Sequence, residues 1–289
     1  MGKILVTGAD GQLGTELRTV LEKNTVFMPH FTDIQELDIT NEDEVKKYLH
    51  KEKPTYVINC AAYNAVDQAE EQPDIARLIN SLAPGILARA ANDAGAKFIH
   101  ISTDYVFDGK HYKPYTEEDD PNPVSAYAKS KRTGETRVLE TGVGIVIRTS
   151  WLYSPHGKNF VKTMLKLGSE KEELNVVHDQ CGSPCYAFDL ANTILYMLTL
   201  YHNGKAFMPG IYHYSNEGTC SWYDFAREIM FIKQFPCNVL PIETRDYPLP
   251  APRPYYSLLN KAKIKSEFGI TIPHWKDSLI ECLDRMKEN

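Results

Sequence analysis

Short apolar runs alternate with longer amphipathic stretches along the first half of this chain. Five runs read as strands: residues 3–7, 25–28, 56–59, 97–102 and 144–148. They are rich in Ile, Val and Phe and show little strict alternation, as expected of strands covered on both faces. Helical patterns lie between them. Leu13, Leu17, Val20 and Leu21 share one helical stripe, and residues 75–94 and 126–139 continue the series. Pro54 breaks the chain before the third strand, and Gly95 closes the long helix before the fourth. This alternation predicts an α/β fold with a doubly wound parallel sheet, helices on both faces.

Beyond about residue 148 the pattern becomes irregular. Loops rich in Pro, Tyr and Gly separate helices predicted at 159–167 and 222–232. Ser221 and Asp224 have the spacing of a cap for the latter. Residues 187–200 are apolar enough to pack back on the sheet. The chain therefore divides into residues 1–150, which carry the sheet, and residues 151–289, a smaller, mixed α/β part. No repeat, low-complexity tract or charge block separates them.

The chemistry sits at two strand ends. After the first strand comes Gly8-Ala-Asp-Gly11-Gln-Leu-Gly14, opening the first helix. A glycine turn between strand and helix lets backbone approach a pyrophosphate, which sits on the helix N-terminus. The spacing is Gly-x-x-Gly-x-x-Gly, not the commoner Gly-x-Gly-x-x-Gly. This makes the sheet Rossmann-type and residues 1–150 a dinucleotide-binding domain. The fourth strand empties into Ser102-Thr103-Asp104-Tyr105, and Ser125-Ala-Tyr127-Ala-Lys-Ser-Lys131 opens a helix. Tyr127 and Lys131 share a helix face. A phenol beside an ammonium is a proton donor whose anion the charge stabilises, and a Thr hydroxyl at a strand end orients a substrate oxygen. That is equipment for reducing a ketone with a hydride cofactor. A second Tyr-x-x-x-Lys, Tyr201 to Lys205, contains a glycine and lacks a preceding Ser-Thr strand, so it is set aside.

Charge about the second strand bears on cofactor choice. An acid about 20 positions past the glycines favours NAD. Residues 28–31 offer neither acid nor Arg; His30 either meets a phosphate weakly or is an exposed loop side chain. Both NADH and NADPH are expected to serve. Small Ala61 and Ala62, with Tyr63, end the third strand and leave room for a cofactor. Trp151 and Tyr153 lie beyond the fifth strand, where open sheets bind ligands; each either stacks on a nucleotide or packs in the core. Arg253, in a Pro-rich segment, suits bidentate phosphate contact.

Composition narrows the partners. The net charge of −6, with no basic stripe, argues against nucleic acid or an anionic membrane as a main partner. No apolar run approaches the ~20 residues of a membrane span, and the N-terminus enters a strand without signal-peptide features. A cytoplasmic protein is expected. The six cysteines form no Cys-x-x-Cys pair and lack matching His partners, so they read as reduced thiols rather than a zinc site.

These blocks, with Leu37-Asp38-Ile39-Thr40, Asn59 to Asp67, Arg148 to Tyr153, Asp179 to Pro184 and Arg253-Pro254, resemble the extended short-chain dehydrogenase/reductases. Within them the chain is most similar to the dTDP-4-dehydrorhamnose reductase family, over most of its length and in the family's order. The resemblance implies NADPH- or NADH-dependent reduction of the C4 ketone of a dTDP-sugar by a monomer or homodimer. It implies catalytic roles for Thr103, Tyr127 and Lys131, with Tyr127 giving its proton and Lys131 lowering the phenol's pKa and holding the nicotinamide ribose. It assigns the cofactor to Gly8, Gly11, Gln12, Leu13, Gly14, Asp38, Ile39, Ala61, Ala62, Tyr63, Tyr127 and Lys131. The substrate falls to Val66, Thr103, Asp104, Tyr105, Tyr127, Trp151, Asn159 and Arg253. Some members link dimers through a metal near Glu16, but one carboxylate is not a site, so no metal is expected. Related dehydratases carry Asp-Glu after the Thr; here Tyr105 follows Asp104. A sister nucleotide-sugar reductase or epimerase, or a non-catalytic regulatory subunit like that of methionine adenosyltransferase, is the alternative.

Overall fold

The computed structural model describes residues 2–287. The first half runs β1 (Gly2–Thr7), α1 (Gln12–Leu21), β2 (Phe27–Thr32), α2 (Glu42–Glu52), β3 (Tyr56–Asn59), α3 (Gln68–Glu71), α4 (Pro73–Arg77) and α5 (Ala83–Asp93). It continues with β4 (Lys97–Thr103), α6 (Ala126–Leu139) and β5 (Gly144–Thr149). The second half holds β6 (Leu152–Tyr153), α7 (Phe160–Glu170), β7 (Glu173–Val177), β8 (Cys181–Gly182), β9 (Cys185–Tyr186) and α8 (Ala187–His202). Then come β10 (Gly210–His213), β11 (Cys220–Ser221), α9 (Trp222–Lys233), β12 (Asn238–Ile242), α10 (Ala262–Phe268) and α11 (Trp275–Arg285). Six strands form one parallel sheet in the order β10-β5-β4-β3-β1-β2. The order reverses at β1, between β2 and β3, which is where open α/β sheets bind ligands.

Alternate strand residues face opposite layers. Ile4, Val6, Ile58, Ile99 and Ile147 meet Leu13 and Leu17 of α1 and Leu190 and Ile194 of α8 on one side. Leu5, Val57, Phe98 and Val146 meet Val45 and Leu49 of α2, Ile86 and Leu87 of α5 and Val138 of α6 on the other. A further core joins Val161, Leu174, Phe225, Ile229 and Leu279 outside the sheet. The later chain also returns to the sheet at β10, beside β5, and at α10, whose Ile264 and Phe268 enter the first core; the apolar pattern pointed only to 187–200.

Local signals explain several helix ends. Asn41 caps α2 by accepting from the Glu44 N–H, and Lys53 ends it in the left-handed conformation before Pro54. Ser125 caps α6 by accepting from Ala128 N–H, and Ser221 with Asp224 forms the capping box of α9. The continuous helix expected at 75–94 is instead broken. A π-helical turn, Leu78–Leu82, separates α4 from α5. Pro84 cannot donate to the Asn80 carbonyl, the bond a regular helix requires. Gly134 of α6 packs against that carbonyl so closely that a Cβ there would lie 2.1 Å from it.

Tyr201 packs in the first core at 8% exposure. Glu16 is fully buried and salt-bridged to Arg285 at 2.8 Å. Among the described residues, no cluster of three or more His, Cys, Asp and Glu is placed to hold a metal, and no helix is long and apolar enough to cross a membrane.

Gly134→Ala should destabilise the fold by about 1–3 kcal/mol, the range for overpacking. The check is the denaturant midpoint at unchanged slope. An unmoved midpoint would contradict the close approach of α6 to the π turn.

Candidate active site

A cleft of about 540 Å³ opens over the C-terminal ends of β1, β3, β4 and β5. Its floor is the glycine turn. Gly8 has φ +67°, and a Cβ there would fall 2.5 Å from the Ala61 backbone nitrogen. A Cβ on Gly14 would fall 2.4 Å from the Gly8 carbonyl. Only glycine fits at either position. Gly11 caps α1 with no side-chain hydrogen bond, so a phosphate can take the helix N-terminus. The turn therefore fits a dinucleotide pyrophosphate. Gln12 and Leu13 line the same wall, and Gln12 Nε2 donates to the Leu152 carbonyl at 3.4 Å.

Opposite the turn stand Thr103, Asp104, Tyr105, Tyr127 and Lys131, all lining the cleft with Val66. Thr103 ends β4; its hydroxyl donates to Asp104 Oδ1 at 3.0 Å and accepts from the Tyr105 N–H at 3.2 Å. Tyr127 and Lys131 project from the first turns of α6, and the Tyr105 ring meets Tyr127 edge-on at 5.9 Å. Burial sets the protonation here. It pushes the Tyr127 phenol up; the Thr103 hydroxyl opposes the shift and the Asp104 carboxylate adds to it. It lowers Lys131 to about 8, with Glu135 and Cys60 acting in the other direction. It raises Asp104 to about 7 against hydrogen bonds from Ser257 and Thr103. The expectation that Lys131 lowers the phenol's pKa needs correcting in this structure. The ammonium donates to the Ile101 carbonyl at 2.6 Å, and desolvation governs the phenol.

Other expected residues divide. Ala62 and Trp151 line the cleft, with Ala61 against the glycine turn. Trp151, at φ +46°, stacks on Trp222 at 3.7 Å. Tyr153 is 1% exposed and sits in the outer core, so packing wins there. Tyr63 stands behind the wall; its N–H donates to Asn80 Oδ1 at 2.8 Å. Asp38 accepts from the Thr40 N–H and hydroxyl at 2.9 and 2.7 Å, and Ile39 is buried under α2 and α5, so neither lines the cleft. Although the neighbouring Lys158 lines the cleft, Asn159 itself does not. Its Oδ1 caps α7, and its Nδ2 donates to Gln12 Oε1 and the Ser154 carbonyl, both at 2.8 Å. Arg253 pairs with Asp67 at 2.7 Å near the mouth.

The cleft also gathers residues to which the sequence gave no site role: Trp222, Lys158 and, inside a family-like block, Thr149 and Ser150. Asn80 is another. From the π turn its Nδ2 donates to the Tyr63 carbonyl and Ser130 Oγ, tying the β3 loop to α6. No local pattern marks these; tertiary pairing brings them in.

The model of the RmlD substrate binding domain matches residues 2–288. The Bacillus subtilis (strain 168) spore coat polysaccharide biosynthesis protein SpsK is 43% identical over 98% of this chain and 97% of its own. A solved dTDP-4-dehydrorhamnose reductase from Clostridium acetobutylicum ATCC 824 is 44% identical, with TM-score 0.93 over 99% of each chain. The chain belongs to the dTDP-4-dehydrorhamnose reductase family. Another such reductase, from Bacillus anthracis str. Ames in complex with NADP, is 39% identical, with TM-score 0.91 over 98% of this chain and 99% of its own.

In this family member β2 is longer than its apolar run. Pairing with β1 carries it to Thr32, opposite Thr7, so Asp33 stands at the strand's end. Its Oδ2 accepts from the Asp10 N–H of the glycine turn at 3.1 Å. An acid was not expected here; this is the place from which a carboxylate meets an adenosine ribose. Asp33→Asn keeps an acceptor for Asp10 and removes a charge that repels a 2′-phosphate. The ratio of kcat/KM for NADPH to that for NADH should rise about tenfold, or ~1.4 kcal/mol. An unchanged ratio would remove Asp33 from cofactor choice.

Proposed function

We propose that the chain reduces the C4 ketone of dTDP-4-dehydro-β-L-rhamnose to dTDP-L-rhamnose with NADPH or NADH. The observation that carries this is one cleft in which the glycine turn faces Thr103, Tyr127 and Lys131. When bound there, the nicotinamide supplies the hydride. Tyr127 gives its hydroxyl proton to the C4 oxygen as negative charge develops. Its raised pKa keeps the phenol proton-loaded at neutral pH. Thr103, fixed at the strand end, orients that oxygen. Lys131 holds the cofactor ribose and supplies positive potential on the same helix face. Gly8, Gly11, Gln12, Leu13 and Gly14 hold the pyrophosphate, with Ala61 and Ala62 leaving space beside them. Val66, Asp104, Tyr105 and Trp151 face the sugar nucleotide, and Trp222 extends the aromatic wall.

Asp104-Tyr105 lacks the second carboxylate that elimination at the sugar would use, which disfavours a dehydratase. The acidic surface and the small-molecule cleft support a cytoplasmic enzyme with no nucleic-acid partner, working as a monomer or homodimer.

The test is NAD(P)H oxidation with the dTDP-4-keto sugar beside UDP- and GDP-keto sugars, across pH. The dTDP-sugar should turn over with the highest kcat/KM. Activity should fall as pH rises through about 8, because Lys131 loses its proton there. NADPH binding without turnover of any keto sugar would favour a regulatory subunit and sink the reading.

A further inference from the structure

Arg253, on a proline-rich arm, stands beside the cleft-lining Val66 and Tyr105, and its guanidinium is engaged on one edge. Nη1 and Nη2 donate to Asp67 Oδ1 and Oδ2 at 2.8 and 2.7 Å. Nη1 also donates to the Ala251 carbonyl at 2.7 Å. Arginine carries five N–H donors in a rigid fork. Three are used, leaving the Nε–H and the outer Nη2–H side by side. The Arg253 side chain is only 13% exposed.

The surroundings fix the guanidinium in place. The same Asp67 carboxylate accepts from the Ala251 N–H at 3.1 Å, so it fixes both the backbone of the arm and the guanidinium. Beyond Arg253, Pro254 packs on Gly109, where a Cβ would lie 2.5 Å from Pro254 Cβ. The Tyr255 carbonyl then accepts from the Cys181 N–H at 2.8 Å. The arm is thus tied down on both sides of Arg253. Val66, next to Asp67, lines the cleft, and so does Tyr105, which feels the Arg253 charge.

We propose that Asp67 is a positioning residue that holds the Nε–Nη2 edge of Arg253 ready to grip the diphosphate of the nucleotide sugar. A side-on fork matches two phosphate oxygens, and a guanidinium locked on its other edge loses little freedom when they arrive. The alternative is that Asp67 competes with the phosphate for the guanidinium. The two readings predict opposite signs. This inference rests on the reductase reading above.

Asp67→Asn, Arg253→Gln and the double variant separate them, with dTDP as a competitive probe and thermal melts as the folding control. Asp67→Asn should raise the KM for the dTDP-keto sugar and the inhibition constant for dTDP about 10- to 100-fold, the range of a charge-assisted hydrogen bond. It should change kcat by less than about threefold and leave the KM for NADPH in place, because uniform binding is what it removes. The double variant should be no worse than Arg253→Gln, since Asp67 acts through the arginine. A lower KM in Asp67→Asn would establish competition and overturn the proposal. An unchanged dTDP constant, or an equal loss toward NADPH, would overturn it as well. Wild type that turns over no dTDP-keto sugar would instead contradict the reductase reading, independently of Asp67.

Discussion

Glu135 and Arg148 meet where neither side chain touches solvent, and the catalytic face is built around them. Arg148 donates from Nε to Glu135 Oε1 at 2.9 Å and from Nη2 to Oε2 at 2.8 Å, a bidentate pair. Ser102 Oγ donates to the same carboxylate at 2.6 Å, and Arg132 closes it from outside at 3.1 Å. The pair therefore couples α6 to β4 and β5. Deleting one member of such a pair leaves a stranded charge, at a cost of about 3–5 kcal/mol. Thr103 follows Ser102, and Lys131 lies one turn before Glu135. Holding the pair holds the register in which hydroxyl, phenol and ammonium converge.

The network continues to β10. His213 accepts at Nε2 from Arg148 Nη1 at 3.4 Å and donates from Nδ1 to the Tyr115 carbonyl at 3.1 Å. Burial, with the Arg148 charge second, pulls its pKa down to about 3, so the neutral tautomer is fixed by its partners. Desolvation dominates the cleft in the same way. It lowers Lys131 and raises Asp104 and Tyr127. A proton kept on a buried phenol is available for transfer, and a marginally held ammonium makes the site sensitive to alkali.

Features carried by short windows were legible in the sequence. The glycine turn, the Ser-Thr strand end, the Tyr127–Lys131 spacing and the cap of α9 each depend on local backbone chemistry. Features set by distant pairing were not. Asp33 ends β2 only because β1 extends the strand past its apolar run. Trp222 reaches Trp151 through the packing of α9, and Asp67 meets Arg253 across 186 residues. Asn159 came only from the family resemblance, and its cap on α7 and its bond to Gln12 depend on how α1 and α7 meet. Pro84 lay inside a stretch read as one continuous helix, and its partner, Gly134, is visible only when α6 lies on the π turn.

The central claim is that Tyr127 is the proton donor of a ketone reduction. Its most direct measurement is steady-state reduction of the dTDP-4-keto sugar by Tyr127→Phe, with melting temperature and NADPH affinity as controls. The substitution removes one oxygen and little volume, so both controls should hold. General acid catalysis contributes about 10²–10⁴-fold, and kcat should fall by that factor. A folded, NADPH-binding Tyr127→Phe enzyme that keeps full kcat would contradict the account.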